Sequence, residues 1–206
     1  MVCNRVAVGL ILVYLAMLPG GAAMALEQPA FEVIDRVGEV EIRQYQPYLV
    51  ARTNIAGDFS GAGNQAFRRL AGYIFGDNAT SEKIAMTAPV MQYPQDESES
   101  SYWFTFMMPA AYTLDDLPRP ADGNVELTNK PAQTLAALRY RGGWSEKKFR
   151  QQADILLSAL RSDSRYVTVG TTMWARYNPP FVPSFLRTNE VLIEVRPVSA
   201  LPSDLR

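Results

Sequence analysis

The sequence contains no histidine, and its single cysteine is Cys3, close to the N-terminus. A Ser-His-Asp triad and the helical zinc-protease motif both need an imidazole, so neither can form in this chain. Histidine and cysteine are also the usual N and S ligands of transition metals, so a site for such a metal is not expected. The chain has 20 Lys and Arg against 21 Asp and Glu, with no basic block, which argues against a nucleic-acid partner.

The first 25 residues have the features of an export signal. Arg5 gives a positive start, an apolar run extends from Val6 to Leu18, and Ala23-Met24-Ala25 has the small-x-small pattern of a cleavage site. We predict cleavage after Ala25 and a single periplasmic or secreted domain over residues 26–206. The alternative is an uncleaved membrane anchor, because the stretch from Val6 to Leu26 is about long enough to span a bilayer. Cys3 lies in the removed segment, so the mature domain would have no thiol and no disulfide.

Composition and periodicity predict one mixed α and β domain. Hydrophobic residues make up 48% of the chain and charged residues 20%, which is typical of a globular protein. Apolar positions three and four apart predict one helix from about Asn64 to Phe75 and a second after Ser145, a suitable N-cap. Alternating or continuous apolar stretches predict strands over residues 31–34, 40–45, 48–56, 102–108, 125–128, 134–140, 166–177 and 190–196.

The chain also contains an internal repeat. Gly57-Asp58-Phe59-Ser60 recurs as Gly142-Gly143-Trp144-Ser145, and each copy follows a strand that comes after a proline and precedes a predicted helix. We interpret the repeat as two copies of a strand-strand-helix-strand-strand unit, whose sheets join around a common interior. Because Trp144 corresponds to Phe59, we predict a packing role shared by both halves, with Trp103 and Trp174 also in the core.

The segment from Ser81 to Met91 follows the first predicted helix. Ile84, Met86, Ala88 and Val90 alternate with other residues, which predicts an extended strand with one apolar face. A proline at position 89 cannot donate a ladder hydrogen bond and marks an edge or a bend. Met86 and Met91 offer an adaptable apolar lining for a flat ligand. An ordinary half-buried strand would have the same pattern of apolar residues.

Two segments together point to a known family. The first is Lys83-Ile84-Ala85-Met86-Thr87-Ala88-Pro89-Val90, and the second is Tyr177-Asn178-Pro179-Pro180-Phe181 with Arg187-Thr188-Asn189-Glu190-Val191. In sequence, order and spacing they resemble the SOUL haem-binding protein family, and the match extends from about Phe31 to Val195. The resemblance implies an α+β fold, a distorted antiparallel β-barrel of two pseudo-symmetric halves, each with one packed α-helix.

The resemblance further implies a non-enzymatic protein that binds haem or a related tetrapyrrole in an apolar pocket. Some members use an axial histidine, and others hold the porphyrin mainly by apolar contact; without histidine, this chain can only do the latter or use Tyr or Met. Apolar burial stabilises a bound ligand by roughly 25 cal/mol per Å². The expected ligand-binding residues come from the first helix, the signature segment and the closing motif: Phe67, Arg68, Arg69, Leu70, Ala71, Ile74, Met86, Phe181, Arg187 and Glu190.

The charged members of this set have two interpretations each. Arg68, Arg69 and Arg187 are candidates to pair with propionate carboxylates, or they are solvated surface charges. Some animal members of the family carry a lysine where this chain has Val182. Glu190 is either a ligand-binding or general-base carboxylate, or one half of a structural ion pair with Arg187 or another arginine.

Three hypotheses about function follow from the sequence. The first is a tetrapyrrole-binding protein. The second is a binding module for another flat or cationic small molecule at Glu190, because the architecture also resembles the effector domains of bacterial drug-sensing regulators, where a buried glutamate meets cationic ligands. The third is a hydrolase that uses Tyr and Glu, since a carboxylate is the main group left to activate water.

Overall fold

A computed structural model describes residues 26–200, so the export signal predicted over residues 1–25 lies outside the described part of the chain, as do residues 201–206. Within that part, one antiparallel sheet of nine strands carries two α-helices, which confirms the predicted α+β class. The strands are β1 (Phe31–Val37), β2 (Val40–Tyr45), β3 (Tyr48–Ala56), β4 (Val90–Pro94), β5 (Ser101–Met107), β6 (Glu126–Lys130), β7 (Gln133–Arg141), β8 (Tyr166–Arg176) and β9 (Thr188–Pro197). The helices are α1 (Ala62–Phe75) and α2 (Glu146–Asp163).

The strand order shows two pseudo-symmetric halves. It runs β1-β2-β7-β9-β8-β4-β5-β3-β6, so β3, β5 and β4 mirror β7, β9 and β8 across the central β4–β8 pair. The first half comprises β2, β3, α1, β4 and β5, and the second comprises β6, β7, α2, β8 and β9. The opening strand of each half pairs with the other half, because β2 pairs with β7 and β6 pairs with β3. The sheet is not closed: β1 and β6 are its two ends, so the predicted barrel is an open one.

Each helix covers its own half of one sheet face. α1 packs on β3 and β5, and α2 packs on β7, β8 and β9. Alternate residues of β9 show the two faces of the sheet, because Val191 and Ile193 belong to the large core under the helices and Leu192 belongs to a smaller cluster on the other side. No helix of the described chain has the length and apolar character needed to cross a bilayer.

The end of α1 fixes the start of the signature segment. Gly76 follows the helix with a φ of 120°, a conformation that glycine adopts without a Cβ clash. The buried Asn78 side chain then donates hydrogen bonds to the carbonyls of Tyr73 and Glu82, at 3.0 and 2.8 Å. Its Oδ1 accepts a hydrogen bond from the Glu82 amide at 3.0 Å. One amide side chain therefore ties the last turn of α1 to the segment that follows.

The prediction of a strand from Ser81 onwards is wrong for most of its length, because regular pairing begins only at Val90. The segment finds other backbone partners: the Ile84 amide donates to the Ile74 carbonyl at 2.8 Å, and the Ala88 amide donates to the Glu27 carbonyl at 2.8 Å. The Thr87 hydroxyl donates to the Met107 carbonyl at 2.7 Å. The segment thus crosses from the end of α1 to the sheet, which places Met86 beside the helix.

Candidate functional site

A cleft of about 830 Å³ lies between one side of α1, the segment before β4 and the end of β8. The helix lines it at Asn64, Phe67, Ala71 and Phe75, positions three or four residues apart that share one face. The rest of the lining comes from the segment before β4, the end of β8 and the residues that precede the two helices: Phe59, Ser60, Met86, Thr87, Ala88, Val90, Trp144, Trp174, Arg176, Tyr177, Asn178, Pro179 and Pro180, together with Leu26. Most of this surface is apolar, and much of it is aromatic.

Stacked rings form one wall of the cleft. Phe59 and Trp174 have ring centroids 5.1 Å apart and an interplanar angle of 17°. Phe149 of α2 stacks on both of them, at 5.4 and 5.7 Å. Trp174 is 2% exposed and Phe59 is 6% exposed, so their neighbours hold both rings in place. The wall is therefore preformed, and only small parts of the two rings face the cleft.

A guanidinium group lies against this wall without a counter-charge. The Arg176 Cζ atom is 3.9 Å from the centroid of the Trp174 ring and 5.6 Å from that of Trp144. Its Nη2 donates to Gln92 Oε1, and Gln92 Nε2 donates in turn to the Phe59 carbonyl at 2.8 Å. No carboxylate among residues 26–200 pairs with Arg176, and its Nε is buried without a hydrogen-bond partner.

The electrostatics of Arg176 follow from that position. Burial lowers the pKa of Arg176 to about 10, because the charged form has lost water and gained no carboxylate. The group still carries its charge at neutral pH. A charge in this state attracts an anion into the cleft more strongly than a solvated surface arginine would.

The residues predicted from the first helix separate into two groups. Phe67, Arg68 and Ala71 line the cleft, as does Met86 of the signature segment. Leu70 and Ile74 are 0% and 1% exposed and belong to the main core, so they face the sheet. Arg69 also points elsewhere, because its Nε pairs with Asp122 at 2.9 Å and its Nη1 donates to the Thr53 hydroxyl at 3.0 Å.

The residues predicted from the closing motif lie outside the cleft. Phe181 is 84% exposed. Arg187 donates through Nε to the Val182 carbonyl at 2.7 Å, and its guanidinium carbon is 4.2 Å from the centroid of the Trp144 ring. The ligand-binding residues predicted from the sequence do not include Phe59, Trp144, Trp174 or Arg176, which line the cleft. The repeat, which aligns Phe59 with Trp144, was the signal that could have identified two of them.

Glu190 is fully buried in an ion-pair network on the sheet face opposite the main core. Arg43 binds both of its oxygens at 2.9 Å, and Arg139 Nε is 2.8 Å from Oε1. The Tyr177 hydroxyl donates to Oε2 at 2.6 Å. Burial alone would raise the pKa of Glu190, but the hydrogen bonds and charge of Arg43, with help from Tyr177 and Arg139, hold it below its usual value. The partners are Arg43 and Arg139, and Arg187 is not among them.

Comparison with known proteins places this architecture in a family. The sequence model described as "SOUL heme-binding protein" matches residues 26–194. The chain belongs to the SOUL haem-binding protein family. Heme-binding protein 2 of Homo sapiens is 31% identical over 179 residues, covering 82% of this chain and 86% of the human one. Heme-binding protein 2 of Mus musculus is 29% identical over 176 residues, covering 81% and 85%.

Solved structures share the fold at low sequence identity. The C-terminal domain of EcmrR aligns with a TM-score of 0.60 and 14% identity, over 77% of this SOUL-family chain and 98% of that one. A hydrolase from Listeria innocua aligns with a TM-score of 0.57 and 10% identity, over 77% and 92%. At these identities the likeness describes the backbone architecture alone.

Proposed function

We propose that this SOUL-family protein binds haem or a related tetrapyrrole in the cleft along α1, without histidine or cysteine ligation, and that it is not an enzyme. The observation that carries the proposal is a largely apolar cleft with an uncompensated guanidinium, Arg176, in its lining. A tetrapyrrole with propionates has the matching chemistry, because it combines a wide apolar face with carboxylates at one edge. The names of the human and mouse relatives agree with this class of ligand.

The residues of the cleft offer such a ligand both apolar contact and positive charge. Phe67, Phe75 and Met86 offer apolar contact along α1, and each 100 Å² of apolar surface removed from water stabilises the complex by roughly 2.5 kcal/mol before ordering costs. Arg176 would bind one propionate, and the exposed Arg68 at the cleft edge would bind the other. Met86 is the lining residue whose side chain could contact a bound iron, because the Tyr177 hydroxyl is bonded to Glu190 on the other face of the sheet.

The two alternative functions have less support. A cationic ligand at Glu190 would have to displace Arg43 and Arg139, whose hydrogen bonds occupy both carboxylate oxygens. A hydrolase that used Glu190 as its base would need a raised pKa, whereas the arginines hold the pKa of this carboxyl low. We therefore propose a structural role for Glu190 and a tetrapyrrole ligand for the cleft. The export signal predicted over residues 1–25 is the basis for proposing a periplasmic or secreted location.

Haem titration tests the proposal directly. Binding in the cleft should shift the Soret band and quench tryptophan fluorescence, because Trp144 and Trp174 line the site. Phe67→Glu should weaken haem binding at least tenfold, since it places a charge on the apolar side of α1, whereas Phe67→Leu should have little effect. Phe67 is 44% exposed, so neither change threatens the fold. A protein that shows no Soret shift and no quenching at micromolar haem would overturn the proposal.

A further inference from the structure

Two phenylalanines project from the proline-rich segment between β8 and β9. Phe181 is 84% exposed and Phe185 is 71% exposed, and Leu186 beside them is 47% exposed. The two rings have the highest exposed fractions among the large hydrophobic residues of the described chain. Exposed aromatic side chains grouped in this way are typical of a surface that contacts a partner or a membrane.

Hydrogen bonds hold the segment in this conformation. Arg187 donates through Nε to the Val182 carbonyl at 2.7 Å and through Nη2 to the Pro180 carbonyl at 2.5 Å. The Thr188 amide donates to Asn178 Oδ1 at 2.6 Å, which closes the base of the segment. Its ends are fixed, and the prolines restrict its backbone. The exposure of Phe181 and Phe185 is therefore built into the structure rather than a consequence of a frayed loop.

The start of α2 brings positive charge to the same place. The Gly142 amide donates to the Arg187 carbonyl at 3.1 Å and the Arg187 guanidinium lies over the Trp144 ring, so the end of β7 and the turn before α2 lie beside the proline-rich segment. Lys147 and Lys148 follow in the first turn of α2. These two stretches, 141–150 and 178–188, contain five basic residues and one acidic residue, in a chain with a net charge of −1. Arg141, Lys147 and Lys148 have no ion-pair partner among residues 26–200, while Glu146 is paired with Arg150.

We propose that this surface, formed by residues 141–148 and 178–187, docks on an anionic lipid bilayer. Phe181 and Phe185 enter the interfacial region, and Arg141, Lys147 and Lys148 contact the lipid phosphates. The combination of protruding rings with unpaired cations matches a bilayer, which supplies an apolar layer directly beneath negative charge. A protein partner would need a cavity of complementary shape for each ring.

The proposed docking surface borders the cleft, so docking would place the edge of the cleft at the bilayer. Trp144, Pro179 and Pro180 belong to the surface and also line the cleft. A docked protein therefore holds the edge of its cleft against the lipid, where an apolar ligand can pass between bilayer and protein without crossing water. The docking itself does not depend on which ligand the cleft takes, and it does not use the N-terminal segment.

Vesicle co-sedimentation tests the proposal, using the ligand-free protein as purified with its N-terminus established by mass spectrometry. The protein should pellet with phosphatidylcholine vesicles that contain about 25% phosphatidylglycerol, pellet weakly with pure phosphatidylcholine, and dissociate as salt is raised. Phe181→Ser with Phe185→Ser should weaken binding to the anionic vesicles roughly 10- to 100-fold. Lys147→Gln with Lys148→Gln should weaken it roughly tenfold.

Leu114→Ser is the matched control, because Leu114 is 47% exposed in a different loop and should leave vesicle binding unchanged. Circular dichroism should show that all variants fold, as expected for exposed sites. The proposal is overturned if the protein pellets with neither kind of vesicle, or if the double phenylalanine variant pellets as well as the parent. It is equally overturned if that variant changes only the oligomeric state, since the surface would then bind a second copy of the chain.

Discussion

Arg176 and Glu190 are charged side chains on adjacent strands, and their surroundings differ completely. Glu190 pairs in register with Ala175, the neighbour of Arg176, so the two charged residues face opposite sides of the sheet. Glu190 meets two arginines and a tyrosine, whereas Arg176 meets two indole rings and an amide. Removing one partner from a satisfied buried ion pair destabilises the fold, whereas an unsatisfied charge at a cleft is available to a ligand.

Arg176→Met should weaken binding of an iron-free porphyrin dicarboxylate roughly 10- to 100-fold, because a hydrogen bond to a charged group contributes about 1.5–3 kcal/mol. The dimethyl ester of the same porphyrin should bind the parent and the variant equally. Fluorescence quenching titrations with both porphyrins measure the difference, with Arg68→Met as a comparison at the edge of the cleft. An equal loss for acid and ester would mean that Arg176 only supports the aromatic wall.

Glu190→Gln should lower the free energy of unfolding by about 3–5 kcal/mol, because it removes the buried carboxylate that pairs with Arg43 and leaves that guanidinium only the partly exposed Glu41. Urea denaturation measures the loss, and Glu190→Leu combined with Arg43→Met should recover most of it. Haem affinity should remain that of the parent. A variant that loses haem binding at unchanged stability would instead make Glu190 a ligand-binding residue.

The same ion pair predicts a pH dependence. The folded pKa of Glu190 lies below the ordinary value of 4.5, so its stabilisation is complete above the unfolded pKa and is lost as the pH falls through the folded value. Urea denaturation of the parent protein should therefore show stability falling below about pH 5. The Glu190→Gln variant should show a shallower fall over the same range, and parallel curves would contradict this account.

At the scale of elements, the junction between α1 and the signature segment positions the cleft. The stripe of α1 that faces the sheet includes Ala66, Leu70 and Ile74, and the cleft lies along the next face of the helix. The signature segment borders that face because Asn78 and the Ile84 amide attach it to the last turn of α1. A ligand bound beside Met86 and Phe75 would therefore depend on this attachment.

Asn78→Ala should lower the free energy of unfolding by about 2 kcal/mol, since one buried side chain makes several hydrogen bonds to the backbone. It should also weaken haem binding, because the position of Met86 depends on the same bonds. Asn78→Asp is the control that keeps the acceptor and loses the two donated bonds. Urea denaturation and a haem titration measure both effects, and an unchanged haem affinity would show that the cleft does not need this attachment.

At the scale of the whole molecule, the two halves are joined by β2 and β6, each of which pairs with a strand of the other half. β2 completes the sheet of the second half, and β6 completes that of the first. The Gln92 side chain of β4 adds a further link, because it contacts both Arg176 and the Phe59 carbonyl. The cleft also belongs to both halves, since α1 lines one side of it and Trp174 the other.

Separate halves should consequently fail to fold. A fragment of residues 26–123 lacks β6, so β3 would present an unpaired edge, and its amide NMR spectrum should show little dispersion. A fragment of residues 124–206 lacks β2 and should behave in the same way. Mixing the two should restore part of the native spectrum. A first fragment that unfolds cooperatively on its own would show that the halves are independent units.

The sequence alone was sufficient to predict both helices, most strands and the family of this protein, and it named several residues that line the candidate cleft. Its apolar periodicity gave both helices and most strands, because that pattern reports which face of each element is buried. The predicted ligand-binding residues included Phe67, Ala71 and Met86, which line the cleft. The strand predicted over residues 81–89 was wrong, because side-chain and helix-end hydrogen bonds take the place of strand pairing there. The absence of histidine limited the ligation chemistry from the start.

The pairing of charges and the contact between distant surfaces depend on the three-dimensional fold. Arg43 and Glu190 are 147 positions apart, and residues 141–148 join residues 178–187 only because β7 pairs with β9. No local pattern encodes such contacts, since they depend on strand register across the sheet. The same register leaves Arg176 between two tryptophans and away from any carboxylate of the described chain, because alternate residues of a strand face opposite sides.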